Sequence, residues 1–214
     1  SALRVADELG LSLPIVSYNG AVVRAENGAT LRHLRADSRH TDQIVRYCLA
    51  HKLHLNFYVD DRLLVEEIGE WARFYLQQTG SLMEEVGGLS SVLGLMPTKL
   101  ILIDTPSKTD RLLVHFRRAM GASLYITKTN PEYLEFMHPE ADKGSALAIL
   151  AEHLGVDRSE TMAIGDGLND LSLIVWAGAG VAMANGADEV RSAAERGFGF
   201  AAEMRGRGAA MPEA

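Results

Sequence analysis

The sequence predicts an α/β fold containing a parallel sheet with helices on its faces, and three observations carry that expectation. Short apolar runs alternate with amphipathic stretches along most of the chain, and the last third repeats strand-then-helix spacing. Of the 214 residues, 47% are hydrophobic and 23% charged, enough to build a sizeable core. With domains of roughly 150 residues as the usual size, this length fits one domain carrying a large insertion or two modules.

From the N-terminus, Leu3, Val5, Ala6 and Leu9 with charges between them predict a helix over Ser1 to Leu9, stopped by Gly10. Pro14 to Tyr18 reads as a strand ending in Asn19-Gly20, with Ala21 to Val23 resuming it, which predicts a tight turn or hairpin where the chain changes domain. From Leu31 to Met137 the pattern predicts an α/β unit. Its helices are Thr41 to Ala50, Glu70 to Gln78 and Thr109 to Met120; its strands are Leu53 to Val59, Lys99 to Ile103, Ser123 to Lys128 and Tyr133 to Met137. A helix over Gly144 to Leu154 carries Leu147, Leu150, Ala151 and Leu154 on one stripe and stops at Gly155. Thr161 to Ile164 and Val181 to Met183 then read as strands, Asn169 to Trp176 and Asp188 to Glu195 as helices. The glycine- and alanine-rich tail from Gly197 is expected to be mobile.

Twenty-one basic against 28 acidic side chains give a net charge of −7. Such a chain has no general basic field, which argues against nucleic acid or an anionic membrane as the main partner. The long uncharged stretch Leu171 to Ala187 is broken by polar residues and glycines and reads as core, not as a membrane span. The single cysteine, Cys48, cannot close an internal disulfide, and no charged-then-apolar leader opens the chain. A reducing, cytoplasmic setting is the expectation.

The sharpest chemical feature is Gly165-Asp166-Gly167-Leu168-Asn169-Asp170, between an apolar strand and a helix. Ligands bind at the carboxyl ends of strands in open α/β sheets. Two carboxylates four residues apart, on a turn that glycines keep tight, can offer hard oxygen ligands to Mg²⁺, and Asn169 can donate to a phosphate oxygen. An equally simple reading makes Asn169 or Asp170 a helix cap and Asp166 a solvated turn residue. A calcium EF-hand is excluded, because Leu171 stands where its glycine belongs and Ala177 where its glutamate belongs.

Lys143-Gly144 precedes the helix at Ser145, so a cation faces the positive end of the helix dipole. A bound phosphate would compensate it; an exposed lysine in a polar turn beside Asp142 is the plain alternative. Other features carry no chemistry in this reading. Cys48, His51 and His54 lack a fourth ligand nearby. Asp104 ends an apolar strand without a second aspartate two residues on, and reads as a turn or helix-entry residue. Trp71, Phe74 and Tyr75 fall at helical spacing and are expected in the core.

Taken together and in order, these residues resemble the Cof-type branch of the haloacid dehalogenase superfamily, Mg²⁺-dependent phosphatases with a Rossmann-like core, a parallel sheet and an inserted α/β cap domain. Leu13 to Ala21 resembles the strand leading into the cap, Pro97 to Asp104 and Tyr125 to Glu135 its strands. Ala141 to Gly144 is similar to the lysine motif, Thr161 to Asp170 to the metal motif, and Ala177 to Asn185 to the segment that follows it. Gly186 departs from the alanine common there. The resemblance implies a core of residues 1–22 and 139–214 and a cap of residues 23–138. It also implies roles: Lys143 contacting phosphate and steadying the nucleophile, Asp166 binding Mg²⁺, Asn169 holding phosphate, and Asp170 supporting or completing the metal site. The reaction it implies removes phosphate from a small phosphorylated metabolite through an aspartyl-phosphate. The family's aspartate pair, two residues apart on its first strand, has no counterpart here, so a segment upstream of the printed sequence is expected to carry it. Without that strand, the strand at Thr161 to Ile164 is expected to show an open edge and an apolar face. Two rivals stand beside the phosphatase: a non-catalytic phosphate- or partner-binding remnant of the same fold, and a phosphomutase.

Overall fold

A computed structural model describes Ala6, Gly10 and residues 12–196, without the side chains of residues 195 and 196. The predicted helix over Ser1 to Leu9 and the tail beyond Gly197 lie outside the described residues. The chain forms two compact units, residues 1–142 and residues 143–214.

In the first unit, β1 (Ile15–Ser17), β2 (Val22–Arg24) and β3 (Thr30–His33) make a three-stranded antiparallel sheet with Val16 opposite Val23. The hairpin expected at Asn19-Gly20 is present, but its connection is a single 3₁₀ turn, Tyr18–Gly20. Tyr18 and Asn19 both take left-handed backbone, φ 51° and 52°. Asparagine tolerates that region and tyrosine does not readily. Tyr18 is held by packing edge-on against Tyr58 and by its hydroxyl, which donates to Asp61.

A six-stranded sheet follows: β4 (His54–Val59), β5 (Arg62–Val65), β6 (Glu84–Glu85), β7 (Lys99–Ile103), β8 (Tyr125–Asn130) and β9 (Tyr133–Met137), in the spatial order β6-β5-β4-β7-β9-β8. Every pairing is antiparallel except β5 with β6. β3, β5 and β6 have no counterpart in the sequence reading; β6, at two residues, is too short for periodicity to register.

One face of this sheet is covered by α1 (Ser38–His51) and α3 (Pro106–Met120). Ile44, Val45 and Cys48 from α1, and Leu112 and Phe116 from α3, pack onto Leu55, Phe57, Leu100, Leu134 and Phe136. Asp37 starts α1 by accepting the Arg39 amide, and Lys52 ends it in left-handed conformation. Proline in the first turn of α3 occupies a position whose N–H needs no helical partner. α2 (Glu70–Thr79) lies on the opposite face, where Tyr75 is buried with Tyr58, Ile101 and Tyr133 while Trp71 and Phe74 pack against them half-buried.

The second unit contains α4 (Lys143–Leu154), β10 (Met162–Gly165), α5 (Leu171–Trp176), β11 (Ala179–Ala182) and α6 (Asp188–Arg196). β10 and β11 pair in parallel, as expected, with Ile164 opposite Val181. Ile174, Ala182, Val190 and Ala194 close a small core. Among the described residues Met162 is 67% exposed and Ile164 49%. Along β10, side chains alternate between faces, so one face buries Ala163 and the other stays open among the described residues.

Candidate active site

The turn after β10 is shaped by glycines. A Cβ on Gly165 would stand 2.5 Å from the Asp170 Cβ, a contact the loop cannot take, and one on Gly167 2.5 Å from the Asn169 side-chain oxygen, which would have to move. With hydrogen atoms there instead, the chain folds back through the 3₁₀ turn Leu168–Asp170 and brings the Asp170 carboxylate beneath its own loop. Asp170 Oδ2 accepts the backbone N–H groups of Asp166 (3.2 Å) and Gly167 (3.1 Å). Its Oδ1 accepts from Lys143 Nζ in a short ion pair. Burial pushes the Asp170 carboxyl up, but the Lys143 hydrogen bond and charge and the two amides outweigh it, and the group is held below the ordinary aspartate range.

Lys143 opens α4, where the helix dipole opposes a cation. The sequence reading looked to a bound phosphate for compensation; the structure supplies it from Asp170, 27 residues away. The next amide, Gly144 N–H, donates to Ser172 Oγ at 3.1 Å. That contact, unforeseen from sequence, fastens the start of α4 to the first turn of α5. The only local signal for either contact was the position of two helix starts.

Asp166 is exposed at the tip of the turn, and Asn169 is half-buried beside it. The segment after β11 braces this tip: Met183 N–H donates to the Gly165 carbonyl and Ala187 N–H to the Asp166 carbonyl, both at 2.9 Å. Gly186 lies in that brace, and a Cβ there would come within 3.2 Å of the Asp166 Cα and carbonyl oxygen. The departure from alanine at this position therefore matches a close approach of two backbones.

The structure thus gathers Lys143, Asp166, Asn169 and Asp170 within one unit and gives them unequal parts. Both oxygens of Asp170 are engaged, one by a cation. Asp166 presents its carboxylate to solvent. Among the described residues no group of three His, Cys, Asp or Glu side chains could cage a metal. That donor set fits Mg²⁺ in a limited sense: the ion uses one or two carboxylates and otherwise keeps water and substrate oxygens. Asp166 fits the first of those parts, with Asp170 stiffening the loop behind it.

The residues set aside from sequence have structural partners. Cys48 is fully buried, which pushes its thiol well up; His51 stacks on Tyr47; and His54 exchanges a hydrogen bond with Asn56. Asp104 caps its own strand end, accepting the Thr105 N–H and pairing with Lys108. No helix among the described residues is long and apolar enough to cross a membrane.

Comparison with known proteins supplies an independent line. A profile of the haloacid dehalogenase-like hydrolases matches residues 1–204. YxeH of Bacillus subtilis is 30% identical over 199 residues, covering 89% of this chain and 73% of that protein. Phosphatase YwpJ of the same organism is 23% identical over 227 residues, covering 90% of this chain and 76% of its own. A crystal structure of a haloacid dehalogenase-like hydrolase from Bacteroides thetaiotaomicron superposes with a TM-score of 0.80 at 23% identity, over 90% of this chain and 74% of that one.

Proposed function

The chain belongs to the haloacid dehalogenase-like hydrolases, and from that premise we propose that it is a Mg²⁺-dependent phosphatase acting on a small phosphorylated metabolite. The observation that carries the reading is the convergence of Lys143, through Asp170, on the exposed carboxylate turn at Asp166. The likeness to phosphatase YwpJ supports the reaction class.

In this reading Asp166 holds the metal, Asp170 supports that site, and Asn169 and Lys143 hold the phosphate. Bound Mg²⁺ supplies charge neutralisation at the phosphoryl oxygens. Asp170 positions its neighbours: its two amide contacts fix the Asp166 and Gly167 backbone, and its ion pair keeps the half-exposed lysine ammonium at the turn. Lys143 then offsets negative charge that grows on the transferring group, without having to reorganise at that moment. The covalent step through an aspartyl-phosphate needs an attacking carboxylate, and none of these four residues takes that part. The domain assignment that accompanies the function keeps residues 1–22 and 139–214 as core and residues 23–138 as cap, with a cytoplasmic setting.

The test is hydrolysis of an aryl phosphate by the full-length natural protein, with Mg²⁺ and after chelation. Turnover should require the metal, vanish in Asp166→Ala and fall severely in Lys143→Ala. Turnover that survives chelation, or that both variants retain, overturns the reading.

A further inference from the structure

The helices α1 and α3 have a second pattern on their outer surface. On α3, Arg111, Val114, His115 and Arg118 recur at i, i+3, i+4 and i+7, so they share one face, and all four are exposed. On α1, Arg39, Gln43 and Arg46 recur at i, i+4 and i+7 and are exposed likewise. The two stripes meet at Tyr47, whose ring lies 4.2 Å from the His51 ring and 5.3 Å from the His115 ring, centroid to centroid.

Of the carboxylates on these two helices, Asp110 is neutralised by a lysine, while Asp42 keeps its charge and leaves the surface positive only in balance. Asp42 accepts the Gly94 amide at 2.8 Å, and Asp110 pairs with Lys128. Arg46, Arg111 and Arg118 have no carboxylate within ion-pair reach among the described residues. A chain of net charge −7 thus carries one outward layer of opposite sign. Val114, 70% exposed, sits between the α3 arginines, and Leu49 is exposed on α1.

We propose that this α1–α3 surface docks an acidic protein segment whose glutamates or aspartates meet Arg46, Arg111 and Arg118 and whose apolar side chains cover Val114. Charge complementarity selects an anionic partner, and arginine is favoured where an interface needs planar, multiply donating groups. Val114, an exposed aliphatic side chain between the α3 arginines, matches a polypeptide better than a phosphate backbone. None of these residues belongs to the site at Asp166, so the proposal stands or falls apart from the phosphatase reading.

The experiment titrates the full-length protein into two fluorescein-labelled probes: a short peptide with glutamate and leucine at helical spacing, and a single-stranded oligothymidylate of matching length. Anisotropy is read at low and high salt. The peptide should bind, weaken with salt, and lose about tenfold in affinity in Arg111→Glu/Arg118→Glu. Arg73→Glu, exposed on α2 across the sheet, should change nothing, and phosphate-ester hydrolysis should be equal in all variants. Circular dichroism checks folding, and Arg111→Gln/Arg118→Gln replaces the reversed pair if that pair melts early. No peptide binding, binding that both double variants retain, or oligothymidylate binding as tight as the peptide's overturns the proposal.

Discussion

Lys99–Glu135 in the six-stranded sheet and Lys143–Asp170 at the turn after β10 are the same kind of ion pair, yet their carboxylates are completed differently. Glu135, with 3% of its side chain exposed, accepts from Lys99 at 3.3 Å, from the Asn19 amide at 2.9 Å and from the Thr129 hydroxyl at 2.7 Å. All three donors are side chains, two of them on strands of the same sheet, and Lys99 also lies over the Tyr58 ring. Asp170 is completed by two backbone amides of its own loop and by a lysine that keeps 28% of its side chain exposed. A carboxylate saturated by side chains deep in a sheet fixes a fold. One that holds a glycine turn and a half-exposed lysine fixes a surface on which a ligand can act. Burial of a charge pair does not separate these cases; what occupies the remaining lone pairs, and what those donors border, does.

That contrast is easiest to break by removing each lysine. In the full-length protein Lys143→Ala should lower kcat/KM for phosphate-ester hydrolysis by about a thousandfold, close to 4 kcal/mol of transition-state stabilisation, with a loss of stability smaller than that of Lys99→Ala. Lys99→Ala should do the reverse. Leaving Glu135 buried without its cation should cost about 3 kcal/mol in chemical denaturation with hydrolysis little changed, and Lys99→Met/Glu135→Leu should recover most of the loss. If the two lysines exchange these phenotypes, the comparison is wrong.

A pH series sharpens it further. Because the folded protein holds the Asp170 carboxyl below its ordinary value, its contribution is complete above that value and is lost as pH falls through the lowered one. Asp170→Asn should therefore be less stable than the unaltered protein at neutral pH by about 1–2 kcal/mol. The gap should close as pH drops below the ordinary aspartate value of 3.8. A gap that persists in acid would show that shape, and not ionisation, makes Asp170 matter. The smallest effect belongs to His51→Ala, an exposed ring on α1, which should stay within about 0.5 kcal/mol in stability and leave hydrolysis unchanged.

The longer elements were legible in the sequence by their period, and the short strands β1, β2, β10 and β11 by apolar runs next to turn residues. α1, α2 and α3 each present buried side chains at helical spacing, whereas of the stripe read on α4 only Ala151 is buried and Leu154 is 51% exposed; β4, β7 and β9 are apolar runs near the five or six residues of an ordinary strand. The glycine-flanked carboxylate turn was legible too, since few other roles need Gly165 and Gly167 around Asp166. β5 and β6 were not, because a pair such as Glu84–Glu85 becomes a strand only by bonding to Leu64 and Val65. The division of labour between the two aspartates was equally hidden. The resemblance gave Asp166 the metal and Asp170 a supporting or completing part, but nothing near either one announces the lysine that occupies Asp170.

The sequence by itself determined the alternation of elements, the tight turn at Asp166 and the placing of Lys143 at a helix start, because each depends on backbone preferences of neighbouring residues. Only the tertiary structure decided the strand order of the six-stranded sheet, the burial of Glu135 among donors distant in the chain, and the choice of Asp170 as the partner of Lys143. Those outcomes depend on which groups meet across tens of residues, and the free energy of satisfying a buried charge is set by the neighbours it finds there, not by its neighbours in the chain.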